Sequence, residues 1–319
     1  MKKTILLLLL VPFIGFSQAN KLFRQAKRTS DLNEKIKLYT QVISLEPQNL
    51  DAYFFRALAK NNLGDYSGAI VDYSKIIVEA PDADTYYNRG NSRYSIDDFS
   101  GAKEDYAKAY MLDNNFIEAL YSLACVKFDL GEYEAAIEDF SKVIQKAPSL
   151  SKAHILRAMA YNNLGFYKKA AEDYTAAILI KPNADHYFAR GAFLMDLKYF
   201  KEAKNDLNKA IQLNNNNAFA YFYRGASKLM LGEFMDAITD FKTAITFDPN
   251  DFDAYLGLAI TYYKLNDVGQ TKTNFNKANS ILGLGKNVNH INQYQNTYWY
   301  ENQYNFFNIN IPKIARLAN

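Results

Sequence analysis

Apolar and small residues return along this chain with a period of 33 or 34 positions. The stretch Ala52–Pro81, AYFFRALAKNNLGDYSGAIVDYSKIIVEAP, comes back as Ala218–Pro249, AFAYFYRGASKLMLGEFMDAITDFKTAITFDP. A column of alanines (Ala69, Ala102, Ala136, Ala170, Ala203, Ala237) and a column of breakers (Pro47, Pro81, Asn114, Pro148, Pro182, Asn215, Pro249) keep the same step. Self-similarity at this period marks an array of helical repeats, each too small to bury its apolar face alone. Helical spacing within each period predicts a pair of helices: 52–63/67–79, 85–96/100–112, 119–130/134–146, 153–164/168–180, 186–197/201–213, 220–231/235–247 and 254–265/268–281.

Each period has the same internal order. An aromatic or similar residue comes early (Tyr53, Tyr86, Leu120, His154, Tyr187, Tyr221, Tyr255), and a small residue follows four places on (Ala57, Gly90, Ala124, Ala158, Gly191, Gly225, Ala259). Leu63-Gly64, Leu130-Gly131, Leu164-Gly165 and Leu231-Gly232 close the first helix, where glycine can turn left-handed. An aromatic two residues later opens the second helix, whose core residue is Tyr73, Tyr106, Phe140, Tyr174, Leu207 or Phe241. These residues resemble the tetratricopeptide repeat pattern at nearly every constrained place. The resemblance implies an all-α fold: a right-handed α-solenoid of antiparallel helix pairs, with about eight repeats and a C-terminal cap.

On this reading residues 20–49 form a degenerate first repeat and 50–251 hold six well-matched ones. Residues 252–283 form a divergent eighth, with Asn266, Val268 and Thr271 in place of glycine, aromatic and alanine. The segment 284–319 is an asparagine- and aromatic-rich cap or tail, with a capping helix expected over 287–300. Its aromatic residues must cover something, so Trp299 or Phe306 is expected to reach from the last helices toward the groove.

The beginning of the chain has a different plan. Lys2 and Lys3, an apolar run from Ile5 to Phe16 and small residues at Gly15, Ser17 and Ala19 predict a secretory signal peptide over 1–19. The run is shorter than a spanning helix needs and contains Pro12. The expected location is therefore outside the cytoplasm, periplasmic, associated with the cell envelope or secreted, with no transmembrane segment after cleavage. Removing Lys2 and Lys3 lowers the formal charge from +3 to +1, and no basic block remains to attract nucleic acid. Cys125 is the only cysteine, which excludes a disulfide framework and a thiolate metal site.

Candidate chemistry is sparse. His154, His186 and His290 share no metal-ligand spacing, no glycine-rich turn could cradle a phosphate, and no catalytic constellation is found. The sequence thus predicts no catalytic residue, metal or cofactor. Its most regular polar feature is an arginine followed sixteen residues later by an aspartate: Arg56/Asp72, Arg89/Asp105, Arg157/Asp173, Arg190/Asp206 and Arg224/Asp240. Sixteen residues span the middles of two antiparallel helices. The pairs are expected to be structural ion pairs within each repeat, the other reading being an arginine ladder for an anionic polymer.

The resemblance implies that first helices line a concave groove. Its columns here are apolar and aromatic with asparagines between, and lack the lysines and arginines with which some family members grip a peptide carboxylate. The groove residues expected to hold a peptide are Phe54, Asn61, Tyr87, Asn91, Tyr94, Tyr121, Phe128, Asn162, Phe188, Phe222 and Leu229. The alternative is that they pack on neighbouring helices. The expected function is a non-enzymatic scaffold in the cell envelope binding a protein or peptide segment, with oligomers allowed. The alternatives are a structural component of a larger envelope assembly or a glycan-binding module.

Overall fold

In the computed structural model residues 17–284 and 290–318 are described, and every regular element among them is a helix. Most of the expected export segment therefore lies outside the described residues. The helices gather into two compact units, one ending at Gly165 and the other beginning at Phe166.

The first unit holds α1 (17–28), α2 (Leu32–Leu45), α3 (Leu50–Leu63), α4 (Tyr66–Glu79), α5 (Ala83–Tyr94), α6 (Phe99–Leu112), α7 (Ile117–Asp129), α8 (Tyr133–Lys146) and α9 (Ser151–Asn163). From α2 onward each helix lies against the next, and first helices also meet across repeats, as α3 meets α5 and α7 meets α9. Its core is a series of small clusters, such as Ala57, Ala69, Tyr73 and Ile76, or Leu120, Ala136, Phe140 and Val143.

The second unit holds α10 (Tyr167–Ile180), α11 (Ala184–Asp196), α12 (Phe200–Leu213), α13 (Ala218–Met230), α14 (Phe234–Phe247), α15 (Phe252–Lys264) and α16 (Val268–Ile281). A 3₁₀ turn at Ile291–Tyr294, α17 (Tyr298–Asn302) and α18 (Tyr304–Ala318) follow. One continuous core runs from Met195 and Leu207 through Phe222 and Phe241 to Trp299, Phe307 and Ile314.

First helices begin two residues before the expected starts. In five of them a side chain just after the breaker accepts from the third residue on and holds the first turn, while α7 and α9 start equally early without such a cap. Asn49 caps Ala52 N, Asp82 caps Thr85 N, Asn183 caps His186 N, Asn217 caps Ala220 N and Asp251 caps Ala254 N. Where the closing glycine is missing, Asp97, Lys198 and Asn266 take the same left-handed turn at φ 60°, 63° and 58°. The turn is thus fixed by the helix hairpin and only eased by glycine.

The capping helix is not where it was expected. Thr297 accepts from Tyr300 N and starts the five-residue α17, and the long helix is α18. Phe307, Asn310, Ile311, Ile314 and Ala315 form its buried stripe. Pro312 and the surrounding asparagines keep that stripe from reading as an apolar helix face in the sequence.

The alanine column is completely buried in both units, which lets second helices approach their neighbours closely. Ala136→Phe should lower stability by about 1–3 kcal/mol through overpacking. Denaturant melts check this, and an unchanged midpoint would show that the column tolerates bulk.

Candidate functional site

The arginine column ties three helices together wherever both its neighbours are present. In the first unit Arg56 reaches Asp72 with Nε and Nη2 at 2.8 and 2.6 Å, and Arg89 reaches Asp105 at 2.9 and 2.7 Å. In the second, Arg190 meets Asp206 at 2.7 and 2.9 Å and Arg224 meets Asp240 at 2.8 and 2.6 Å. These are two-pronged charge-assisted bonds between the two helices of one repeat, with the carboxylate buried. Arg157 and Asp173 belong to different units, and Asp173 is buried in its own.

The remaining guanidinium nitrogen turns backward to the preceding second helix. Nη1 of Arg56, Arg89, Arg157, Arg190 and Arg224 donates to Thr40, Ser74, Ser141, Thr175 and Asn208 at 3.1, 3.0, 2.9, 3.1 and 2.9 Å. The two repeats that carry Leu123 and Leu258 instead of arginine have Ala107 and Lys242 at that preceding position. This acceptor column, missed in the sequence reading, could have been found there by pairing each arginine with the residue 15 or 16 places before it.

A second cation, also missed, stands four residues after the arginine position. Lys60, Arg93 and Lys228 join Asp72, Asp105 and Asp240 at 2.9, 3.0 and 2.7 Å. Asp139, which has no arginine, is held by Lys127 and Lys142. Leu194 occupies that place beside Asp206, which is paired with Arg190.

The first-helix face of the first unit carries most of the expected groove residues. Phe54, Tyr87 and Tyr121 are half-buried, each with its ring against the core aromatic of the same repeat: Tyr73 at 5.8 Å, Tyr106 at 5.8 Å and Phe140 at 6.1 Å. Phe128 leans on Tyr133 at 5.4 Å. Tyr94, 38% exposed, donates its hydroxyl to Asp129 Oδ2 at 2.7 Å. The side-chain oxygens of Asn61 and Asn91 accept from Ser92 Oγ and Tyr106 OH at 2.9 and 2.8 Å, while Asn162 is half-buried. Ile117, Leu150 and Lys152 complete a cavity of about 580 Å³ beside Tyr87 and Tyr121.

In the second unit the same face is covered by the chain itself. Phe222 and Leu229 are only 5% and 2% exposed, and Phe188 is half-buried against Tyr223 at 5.6 Å. The ring of Tyr298 meets Phe222 and Tyr223 at 5.0 and 5.2 Å, and Trp299 meets Phe222 and Phe241 at 6.0 and 6.1 Å. Asp253 anchors this turn: its Oδ2 accepts from Tyr298 N at 3.1 Å and its carbonyl from Trp299 Nε1 at 2.8 Å. Further along, Asn302 donates to Asp196 and Gln303 to the Met195 carbonyl. Trp299 is fully buried and Phe306 lies beside it, so the expected reach toward the groove residues is made chiefly by Tyr298 and Trp299.

Family profiles described as tetratricopeptide repeat match residues 83–116, 117–150, 151–183 and 184–217, and one described as TPR repeat matches 228–266. Together they span more than half of the chain. The chain belongs to the tetratricopeptide repeat family. No curated protein matches it. Among solved structures it is similar to the C-terminal part of a tetratricopeptide repeat protein from Cytophaga hutchinsonii, at 20% identity and TM-score 0.60, covering 76% of this chain and 99% of that one. It is likewise similar to a tetratricopeptide repeat protein from Parabacteroides merdae, at 18% and 0.59, covering 73% and 93%. A third likeness, to the APC/C hetero-tetramer Cut9-Hcn1, has 17% identity and TM-score 0.56, covering 88% of this chain and 54% of that one.

Among the described residues no group of histidine, cysteine, aspartate and glutamate is placed to hold a metal, and no helix is long and apolar enough to cross a membrane. His186 is buried with Nδ1 at 2.8 Å from the Lys181 carbonyl, a structural contact at the end of the preceding helix. Burial pushes the Cys125 thiol up to about 12, so it is not a ready nucleophile.

Arg190→Met leaves Asp206 buried beside Leu194 and should cost about 3–5 kcal/mol, the scale for stranding a buried charge. Arg224→Met leaves Asp240 with Lys228 and should cost clearly less. Equal losses in denaturant melts would show that the second cation does not share the load.

Asp253 makes the second unit sensitive to pH. Burial, reinforced by Asp251 and Glu301, pushes its carboxyl up to about 7, against the opposing hydrogen bonds from Tyr298 and Trp299. A carboxyl raised from an ordinary value of about 4 favours the folded state below that value. The contribution is lost as pH rises to about 7. The drop in melting temperature between pH 5 and pH 8 should therefore be smaller in Asp253→Asn than in the parent. An equal drop would remove Asp253 from the account.

Proposed function

We propose that this chain is a non-enzymatic scaffold that holds a protein or peptide segment on the first-helix face of its first unit, outside the cytoplasm. Tetratricopeptide repeats are in general protein-interaction modules, and the chemistry of this face favours that use. The observation that carries the reading is the contrast between two equivalent faces. In the second unit Phe222 is sealed by Tyr298 and Trp299, whereas in the first unit Tyr87, Tyr121 and Tyr94 keep part of their rings accessible. Half-buried aromatic rings already braced by a core neighbour lose little entropy on binding, which suits them as anchors. Placement in the periplasm or envelope, or in the medium, rests on the plan of residues 1–19.

Photo-crosslinking in the native cell tests both parts. A crosslinking residue at Tyr94 or Tyr87 should capture one protein in stoichiometric yield, and the same residue at outward-facing Glu138 should not. The captured chain should also lack Met1–Ala19 by mass spectrometry. Capture only from position 138 would move the binding surface elsewhere, capture of many proteins would favour an assembly component, and an intact Lys2 would rule out export.

A further inference from the structure

The C-terminal turn seated on the second unit shows what kind of segment this face accepts. Adding 101 to a residue number in the first unit gives its repeat equivalent in the second. Tyr87 corresponds to Phe188, Tyr121 to Phe222, Ser122 to Tyr223 and Lys152 to Asp253. The residues that receive Tyr298 and Trp299 are thus the counterparts of those lining the 580 Å³ cavity between α5, α7 and the start of α9. One site is filled by the chain itself, and its counterpart stands open.

The two sites share an aromatic floor and differ in charge at the residue that anchors the seated turn. Ring meets ring at Phe222 in the second unit, and Tyr121 offers an aromatic ring at the same position, held from behind by Phe140. Asp253, however, accepts a backbone N–H from the seated turn, and the exposed Lys152 that replaces it can only donate. The segment that fits here must bring an acceptor where Tyr298 brings a donor. Glu118, also on the rim, corresponds to Phe219, which remains 69% exposed with the turn seated. A cavity of this size suits two aromatic side chains.

We infer that the cavity at Tyr87, Tyr121 and Lys152 is a docking site for a partner segment presenting adjacent aromatic residues next to an acidic side chain, the aromatics on Tyr121 and the carboxylate on Lys152. This rests on the scaffold reading above and names the partner's chemistry.

The test uses the full chain and two fluorescein-labelled dodecapeptides with blocked ends, one centred on Tyr-Trp-Glu and one on Tyr-Trp-Lys, with binding read by fluorescence anisotropy. The Glu peptide should bind about tenfold more tightly, and Lys152→Glu should reverse the preference. Lys152 is exposed, so that variant keeps its melting temperature, whereas Tyr121→Ala also removes a core contact and serves only as support. Equal affinity for both peptides, an unchanged preference in Lys152→Glu, or no saturable binding at millimolar peptide would each overturn the inference. If the Tyr94 crosslink survives in Lys152→Glu, the scaffold reading stands and only this inference falls. If the crosslink is absent from the parent while the peptide preference holds, the reverse is true.

Discussion

The fold depends on a guanidinium shared among three helices. In α3, α5, α11 and α13 a mid-helix arginine takes two bonds to a buried aspartate on its own second helix and one to a hydroxyl or amide on the second helix before it. Apolar packing between helices is nearly non-directional, so two helices with matching stripes could slide by a turn at little cost. The fork geometry of arginine permits one register, and a slip would strand a buried carboxylate. Each contact adds little net stability, and its value lies in choosing one arrangement. The alanine column sets how close the helices come, and the arginine column sets where along their length they meet.

That rigid register explains how one chain can contain both an occupied and an open version of one site. Repeats built to a common register bring equivalent residues to equivalent places, so a segment docking on one repeat reads out what others could hold. Trp299 is a fully buried core residue and Tyr298 packs partly buried beside it, the two joined to Phe222, Phe241 and the first turn of α15. They finish the second unit as a cap would, on the first-helix face that carries Phe222.

Much of this was legible in the sequence because a repeated pattern is seen several times over. The alanine column, the breaker column and the arginine–aspartate spacing each appear five times or more, and helix pairs and cores follow from them. What escaped was either unrepeated or hidden by chemistry. The left-handed turns at Asp97 and Lys198 carry no glycine, since a tight helix hairpin imposes them. Helix α18 occurs once and contains Pro312 and a buried Asn310 whose amide turns back to the Phe306 carbonyl, so its stripe does not read as apolar. Among the candidate site residues, columns fixed which ones share a face but could not say that Phe222 would be sealed while Tyr94 stayed accessible. That distinction comes from a segment outside the repeats.

The backward bond of each arginine has a consequence for how such a gene can change length. A repeat whose first helix carries arginine suits only a predecessor that ends in Thr, Ser or Asn at the matching place. Excising residues 184–217 would bring Thr175 before Arg224, and the junction would close with donor and acceptor intact. Excising 117–150 would bring Ala107 before Arg157 and leave one nitrogen of that guanidinium facing a methyl group. Repeats of equal length are therefore not equally exchangeable. Unequal crossing-over would be tolerated at some seams and resisted at others, and Leu123 after Ala107 and Leu258 after Lys242 are junctions where arginine and acceptor are absent together.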